Sequence, residues 1–249
     1  MTLTNLLAIG FIVLALLVMA IIAILDRKRI KINFRHLPAL DTLQKAINLV
    51  VEGGKGMHIT TGRGDVLSPH FAASLMSLHL LKVLAKQILN GDIPPLATCG
   101  DGYLNILSQE TLESASASAQ LPEDYQQYGS QVTGVTPFSY TAGTMMAQRD
   151  DRQVVMVITG HYGAEAGLIA DMAERSRAHT ISGTDDLTAQ AMLFVTTRAP
   201  LIGEEFFASG AYIHGNLLHT TSIKTQDLLR IVIVAGMIIG TVLKLAGVI

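Results

Sequence analysis

Apolar residues gather at the two ends of the chain in unbroken runs, and between them hydrophobic and polar positions alternate at the spacings of strands and helices. The first run, Leu3 to Leu25, carries no charge, and a helix of about 23 residues rising 1.5 Å per residue covers the roughly 30 Å core of a bilayer. The second, Ile231 to Ile249, is about 19 residues long and contains one charge, Lys244. Each predicts a membrane-spanning helix. No Lys or Arg precedes the first run, whereas a cleaved signal peptide places positive charge there, so the segment reads as a retained anchor. Lys244 lies near the end of its span, where its ammonium can snorkel to the interface; an ion pathway would need a partner charge, and the first span has none.

The middle of the chain changes period. An amphipathic helix is predicted over Pro38 to Glu52, stopped by Gly53 and Gly54, and strands over Gly56 to Thr61, Pro95 to Cys99, Gln131 to Val135, Gln153 to Thr159 and His179 to Ser182. Helical spacing follows each strand, over His70 to Leu89, Gly102 to Ala119, Phe138 to Gln148, Ala164 to Arg177 and Asp185 to Val195, with a further helix over Gly203 to Ile213. This alternation predicts a Rossmann-like α/β domain: a mainly parallel sheet of about five strands with helices on both faces. The run QVVMVIT is apolar almost throughout, as a central strand covered on both faces requires. The expected division is an N-terminal span over 1–26, a basic juxtamembrane segment over 27–36, the α/β domain over 37–226 and a C-terminal span over 227–249.

Charge gives this arrangement a direction. Arg27, Lys28, Arg29, Lys31 and Arg35 follow the first span, and Lys224 and Arg230 precede the second; basic flanks stay on the cytoplasmic side. The expectation is a cytoplasmic domain on a bacterial inner membrane, with both termini at the outer face. The segment from His36 to Gln226 holds 11 basic and 18 acidic residues, which argues against nucleic acid as a partner. A single cysteine, Cys99, excludes an intrachain disulfide and agrees with a reducing compartment. The bilayer is the first expected partner. Gly236 and Gly240 form a G-x-x-x-G spacing that lets helices approach closely, pairing either the two spans or two protomers of a homo-oligomer or membrane complex.

In an open parallel sheet, ligands bind beyond the carboxyl ends of the strands. Four polar, glycine-rich loops fall there: Gly62, Gly64 and Asp65 in TGRGD; Gly100 and Asp101 in CGDG; Gly160, His161, Gly163 and Glu165 in TGHYGAE; and Ser182, Gly183, Thr184 and Asp185 in SGTDD. Glycine permits positive φ and close backbone approach, while Ser, Thr and Asp also serve simply as helix caps. No G-x-G-x-x-G, G-x-x-x-x-G-K-[ST] or G-x-S-x-G occurs, so neither a nicotinamide, an ATP nor a hydrolase site is supported, and no cofactor is implied. The acidic rim suits a small ligand with amine or hydroxyl groups better than a bare phosphate. His161 and Glu165 are four apart without an H-E-x-x-H, so no metal site is expected, and Cys99, at a strand end, reads as a buried residue rather than a nucleophile. Glu204 and Glu205 complement the dipole of the last domain helix.

The motifs LPAL (Leu37 to Leu40), EGGKGMHITTG (Glu52 to Gly62), PPLATCGD (Pro94 to Asp101), YTAG (Tyr140 to Gly143), GHYGAE (Gly160 to Glu165), IGEEFFASGAY (Ile202 to Tyr212) and QDLLR before the last span occur in that order. Together they resemble a bacterial family of membrane-anchored α/β proteins of unknown function. That resemblance covers nearly the whole chain and implies the architecture without assigning catalytic residues. The functional expectation is a membrane-anchored binding or assembly module. The alternative is a tethered enzyme acting on a small polar or lipid-headgroup substrate, with His161 or Glu165 as general base and Asp101 or Asp185 for orientation or metal.

Overall fold

The computed structural model describes residues 3–26, 36–64, 67–89, 91–118, 129–148, 153–214 and 217–245. The basic residues Arg27 to Arg35 and the site candidate Asp65 lie outside them. Two compact units result, one formed by Met1–Phe34 with His214–Ile249 and the other by Arg35–Ile213.

In the first unit, α1 (Leu3–Asp26) and α9 (Leu217–Leu245) pack along each other. Stretches of 21 residues in α1, with mean hydropathy 3.2, and 26 residues in α9, with mean hydropathy 2.2, are long and apolar enough to cross a membrane. Leu14, Leu16, Val234 and Ile238 are exposed, a surface that water does not tolerate at this density and lipid does. The polar sequence before Ile231 continues the helix back to Leu217 instead of forming a separate connection. A Cβ on Gly236 or Gly240 would meet nothing within 4 Å among the described residues, so the packing of α1 on α9 does not use the glycine pair.

The second unit is a doubly wound sheet. In chain order its elements are α2 (Pro38–Gly53), β1 (Gly56–Gly62), α3 (Phe71–Ile88), β2 (Leu96–Cys99), α4 (Gly102–Ser118), β3 (Ser130–Val132), α5 (Pro137–Ala147), β4 (Gln153–His161), α6 (Ala166–Arg175), β5 (His179–Thr184), α7 (Leu187–Thr196), β6 (Ala199–Leu201) and α8 (Glu204–His214). The strand order is β3-β2-β1-β4-β5-β6 and every pairing is parallel. The sheet therefore has six strands where the periodicity predicts about five. The addition, β6, is three residues long, carries Pro200 and pairs on one side only, which is where proline is tolerated in a sheet.

β4 shows how the sequence divides the core. Val155 and Val157 join Met57, Ile59, Leu81, Leu84 and Phe206 on one face, with α2, α3 and α4; Met156 and Ile158 join Tyr140, Ile169, Ala170 and Leu193 on the other, with α5, α6 and α7. Successive side chains of a strand point to opposite faces, so a continuous apolar run feeds both layers. Each of these four buried side chains contributes about 1.5–3 kcal/mol of transfer free energy. α3 is as long and apolar as a short membrane span, yet more than half of it is buried inside the domain, so its apolarity is spent on the sheet and on α4.

Several boundaries follow from single residues. Gly54 closes α2 in the left-handed conformation, with φ 57°. Thr136 and Ser139 form a reciprocal capping box at the start of α5. Asp186 caps α7 by accepting a hydrogen bond from Ala189 N at 2.9 Å.

Candidate functional site

The first three strands run outward on one side of β1 and the last three on the other side, starting from β4. β1 and β4 therefore flank the topological switch point, where adjacent connections leave in opposite directions; in open parallel sheets ligands bind at the carboxyl edge of this point. The ladder between them shifts register there: Thr60 pairs with Ile158 but Gly62 with His161, so β4 carries one extra residue. Gly160 absorbs the irregularity with φ 123°, and a Cβ there would overlap the Thr61 carbonyl. Only glycine fits.

Beneath the switch point lies a buried hydroxyl cluster. Thr60 Oγ1 bonds to Tyr140 OH and, at 2.6 Å, to Tyr162 OH; Tyr140 OH also donates to Thr98 O and accepts from Gly62 N. Burial pushes both tyrosines above their ordinary range, so they stay neutral. This floor links β1, β2, α5 and the loop after β4. Deeper in β1, His58 is fully buried between Gln148 Oε1 and Thr98 Oγ1, each at 2.8 Å. Desolvation lowers its pKa to about 4, against a hydrogen bond to Gln148 that opposes the fall. The amide oxygen of Gln148 can only accept, so Nδ1 carries the proton and the Thr98 hydroxyl donates to Nε2.

Two pairings of side chains from separate elements stand at the edge itself. Arg63, after β1, donates from Nη2 to Glu165 Oε1 at 3.2 Å, and Gly163 N donates to the same oxygen at 3.0 Å. Among the described residues, Arg63 Nε and Ser74 Oγ are buried without a hydrogen-bond partner. Both flank the turn after β1: a Cβ on Gly100 would overlap the Arg63 stem, and one on Gly64 would overlap the Ser74 hydroxyl. Buried donors of this kind call for an acceptor from water or a ligand.

The second pairing joins three residues. His161 ends β4, Asp185 follows β5, and His70 stands immediately before α3. Gly160 pairs with Thr184, so the next residues along, His161 and Asp185, are neighbours at the end of the ladder. His161 Nδ1 lies 2.8 Å from Asp185 Oδ1, and His70 Nδ1 lies 2.7 Å from Oδ2. The two imidazoles stack with centroids 3.7 Å apart and planes 16° from parallel. Partial burial alone would raise the Asp185 carboxyl, but the hydrogen bonds from His161 and His70 and their charge outweigh it and hold the carboxyl below its usual range. An ionised carboxylate only accepts, so both Nδ1 atoms carry the protons of these hydrogen bonds.

The remaining sequence candidates divide between site and scaffold. Gly62, with φ 74°, holds the β1 turn against the backbone of His161, and its carbonyl accepts from Gly100 N. Asp101 accepts from Tyr103 N at 2.7 Å, fixing the first turn of α4 instead of joining Glu165 or Asp185. Ser182 pairs with Thr197 Oγ1, Gly183 makes room for Phe206, and Thr184 Oγ1 accepts from Asp186 N; these three shape β5 and its turn. Burial raises the Cys99 thiol, which is hydrogen-bonded to Ser130 Oγ, and a protonated buried thiol is no nucleophile. Arg63, His70 and Ser74 are the site residues that sequence reasoning missed. The available signal was topological: the connection after β1 must deliver the start of α3 to the same edge.

A doubly wound α/β domain carrying a charged and imidazole-lined switch point, in one chain with two helices of membrane-spanning length, is the class of protein that fold and site define. The chain belongs to the family described as Domain of unknown function (DUF6754), whose model matches residues 2–249, in agreement with the resemblance carried by the motif order. No curated protein and no solved structure matches it.

Proposed function

We propose that this protein is a membrane-attached binding module that takes a small polar ligand at the carboxyl edge of its sheet, over β1, β4 and β5. The observation that carries this reading is the convergence of Arg63 with Glu165 and of His70 with His161 on Asp185, five side chains from the three connections β1–α3, β4–α6 and β5–α7 at the carboxyl edge. The structure changes the expected ligand chemistry. Glu165, Asp185, Asp186 and Asp101 are all engaged by internal donors, while Arg63 Nε and Ser74 Oγ lack acceptors. The ligand this favours carries acceptor oxygens, not an amine.

Native mass spectrometry of the full chain released from detergent tests the reading. The expected result is a bound small molecule on the wild type that is lost in Arg63→Met and retained in Asp101→Ala. An empty wild type at all ligand-preserving conditions, or the same adduct on both variants, would sink it. The basic flanks and the single buried cysteine support a cytoplasmic domain. Gly236 and Gly240, uncovered in one copy, support pairing of protomers in the membrane; cross-linking that is unchanged by Gly240→Leu would remove that part.

One observation favours a second reading, a membrane-tethered enzyme. Asp185 accepts a hydrogen bond from His161 Nδ1, the arrangement of a general base and the carboxylate that orients it. It predicts that the bound molecule is turned over by wild type and merely bound by His161→Gln.

A further inference from the structure

The three donors around Asp185 have the composition of a transition-metal site. We propose that His70, His161 and Asp185 bind one divalent first-row transition ion, with zinc as the reference ion. The inference deepens the reading above and rests on it for the location of the site. One donor atom from each of the three side chains lies within 4.8 Å of the others, and the cluster is partly buried, with side chains 41 %, 20 % and 16 % exposed for His70, His161 and Asp185.

The spacing is that of a site one small movement from coordination. Zinc holds nitrogen and oxygen donors at about 2.0–2.2 Å, so neighbouring donors of a tetrahedral ion stand about 3.3 Å apart. The two rings are stacked with planes 16° from parallel, so their in-plane lone pairs do not yet converge, and the movement required is a turn of each ring that aims Nδ1 at a common point beside the carboxylate. The N–O distances of 2.7 and 2.8 Å are shorter, because a proton now occupies each gap. An ion entering there opens each gap by about half an ångström. Each imidazole keeps its neutral charge by carrying its proton on Nε2 instead of Nδ1, so two N–H···O bonds are exchanged for two N–metal bonds and one O–metal bond.

The donor chemistry selects the same occupant. Two nitrogen donors select against magnesium and calcium, which take oxygen donors. Three protein donors leave a fourth position open to water or to an acceptor oxygen of the ligand, which is the architecture of catalytic rather than structural zinc.

The test uses the full chain in detergent, stripped with chelator and titrated with Zn²⁺ against a competing indicator and, separately, with Co²⁺ followed by visible absorption. One ion per chain is expected, with affinity falling about 100-fold or more in His70→Ala, His161→Ala and Asp185→Asn, and unchanged in Asp101→Ala. Cobalt should show the intense absorption of a four-coordinate site. No bound ion, equal affinity in all variants, or a cobalt spectrum like that of the hydrated ion would overturn the proposal. If a histidine variant does not fold, the wild-type cobalt spectrum and the near-isosteric Asp185→Asn decide the matter. The two readings fail separately: zinc bound without any organic ligand leaves this inference standing and removes the ligand-binding one, whereas an organic adduct on a chain that binds no metal does the reverse.

Discussion

His58 sets up a pH dependence of stability whose sign and size follow from its surroundings. It is fully buried, its desolvated ring has a pKa of about 4 in the folded chain, and the unfolded chain restores the ordinary value of 6.5. Between those values the unfolded state binds the proton and the folded state does not, so stability is fully present above about pH 6.5, falls as the pH drops, and levels off below about pH 4. The whole difference corresponds to about 3 kcal/mol, of which about 2.5 kcal/mol is lost on going from pH 7.5 to pH 4.5. Carboxylates titrate over the same range, so the useful quantity is the stability gap between the wild type and His58→Gln. That variant keeps a donor and an acceptor but no titratable group. At neutral pH the wild type should be the more stable, because Gln cannot refill the ring volume or reach both Gln148 and Thr98. At pH 4.5 the gap should shrink by about 2.5 kcal/mol, which for a domain of this size is about 5–10 °C in Tm. The chain has no tryptophan, so thermal unfolding is best followed by circular dichroism of the full protein in detergent. A gap that stays constant between the two pH values would refute the reasoning, since the folded and unfolded states would then hold His58 at the same pKa.

Other substitutions separate scaffold from site. Gly160→Ala forces a Cβ into the Thr61 carbonyl at φ 123° and should cost about 1–3 kcal/mol, read as a lowered Tm; an unchanged Tm would mean that the β4 irregularity is dispensable. Asp186→Ala removes the cap of α7 and should cost about 1 kcal/mol without altering metal or ligand binding, although its neighbour Asp185 lies at the centre of the site. Cys99 is buried, so a cysteine placed at exposed Ser114 supplies a selective label. With a cytoplasmic domain, an impermeant maleimide should label Ser114→Cys only after cells are lysed, and labelling of intact cells would invert the orientation.

The fold was more legible than the site because the two are written at different ranges. Periodicity is local, so the first five strands in chain order, the domain helices and the two apolar ends emerge from neighbouring residues. β6 does not, since Ala199, Pro200 and Leu201 are too few to show a period and become a strand only by pairing with β5. The switch-point loops were readable as glycine-rich turns after strands, and His161, Glu165 and Asp185 among them. Their partners were not. His70 lies 115 residues from Asp185 in sequence, and Arg63 lies 102 from Glu165, so only the strand order brings them together. Asp101 and Asp185 looked alike in sequence, each acidic and following a strand, yet one fixes a helix turn and the other gathers two histidines.

The burial of α3 has a consequence for how the chain is made. As it leaves the ribosome, three helices long and apolar enough for lipid pass the insertion machinery, with mean hydropathies of 3.2, 1.2 and 2.2 in chain order. The middle one must be passed over. Lys82 and Lys86 within α3 each add about 2–3.5 kcal/mol to the cost of lateral transfer into lipid, and the sheet that will cover the helix is still incomplete, because β4 is synthesised some seventy residues later. Those two lysines do little for the finished core. Both are exposed in the folded domain, and their cost of transfer into lipid counts against α3 serving as a third span.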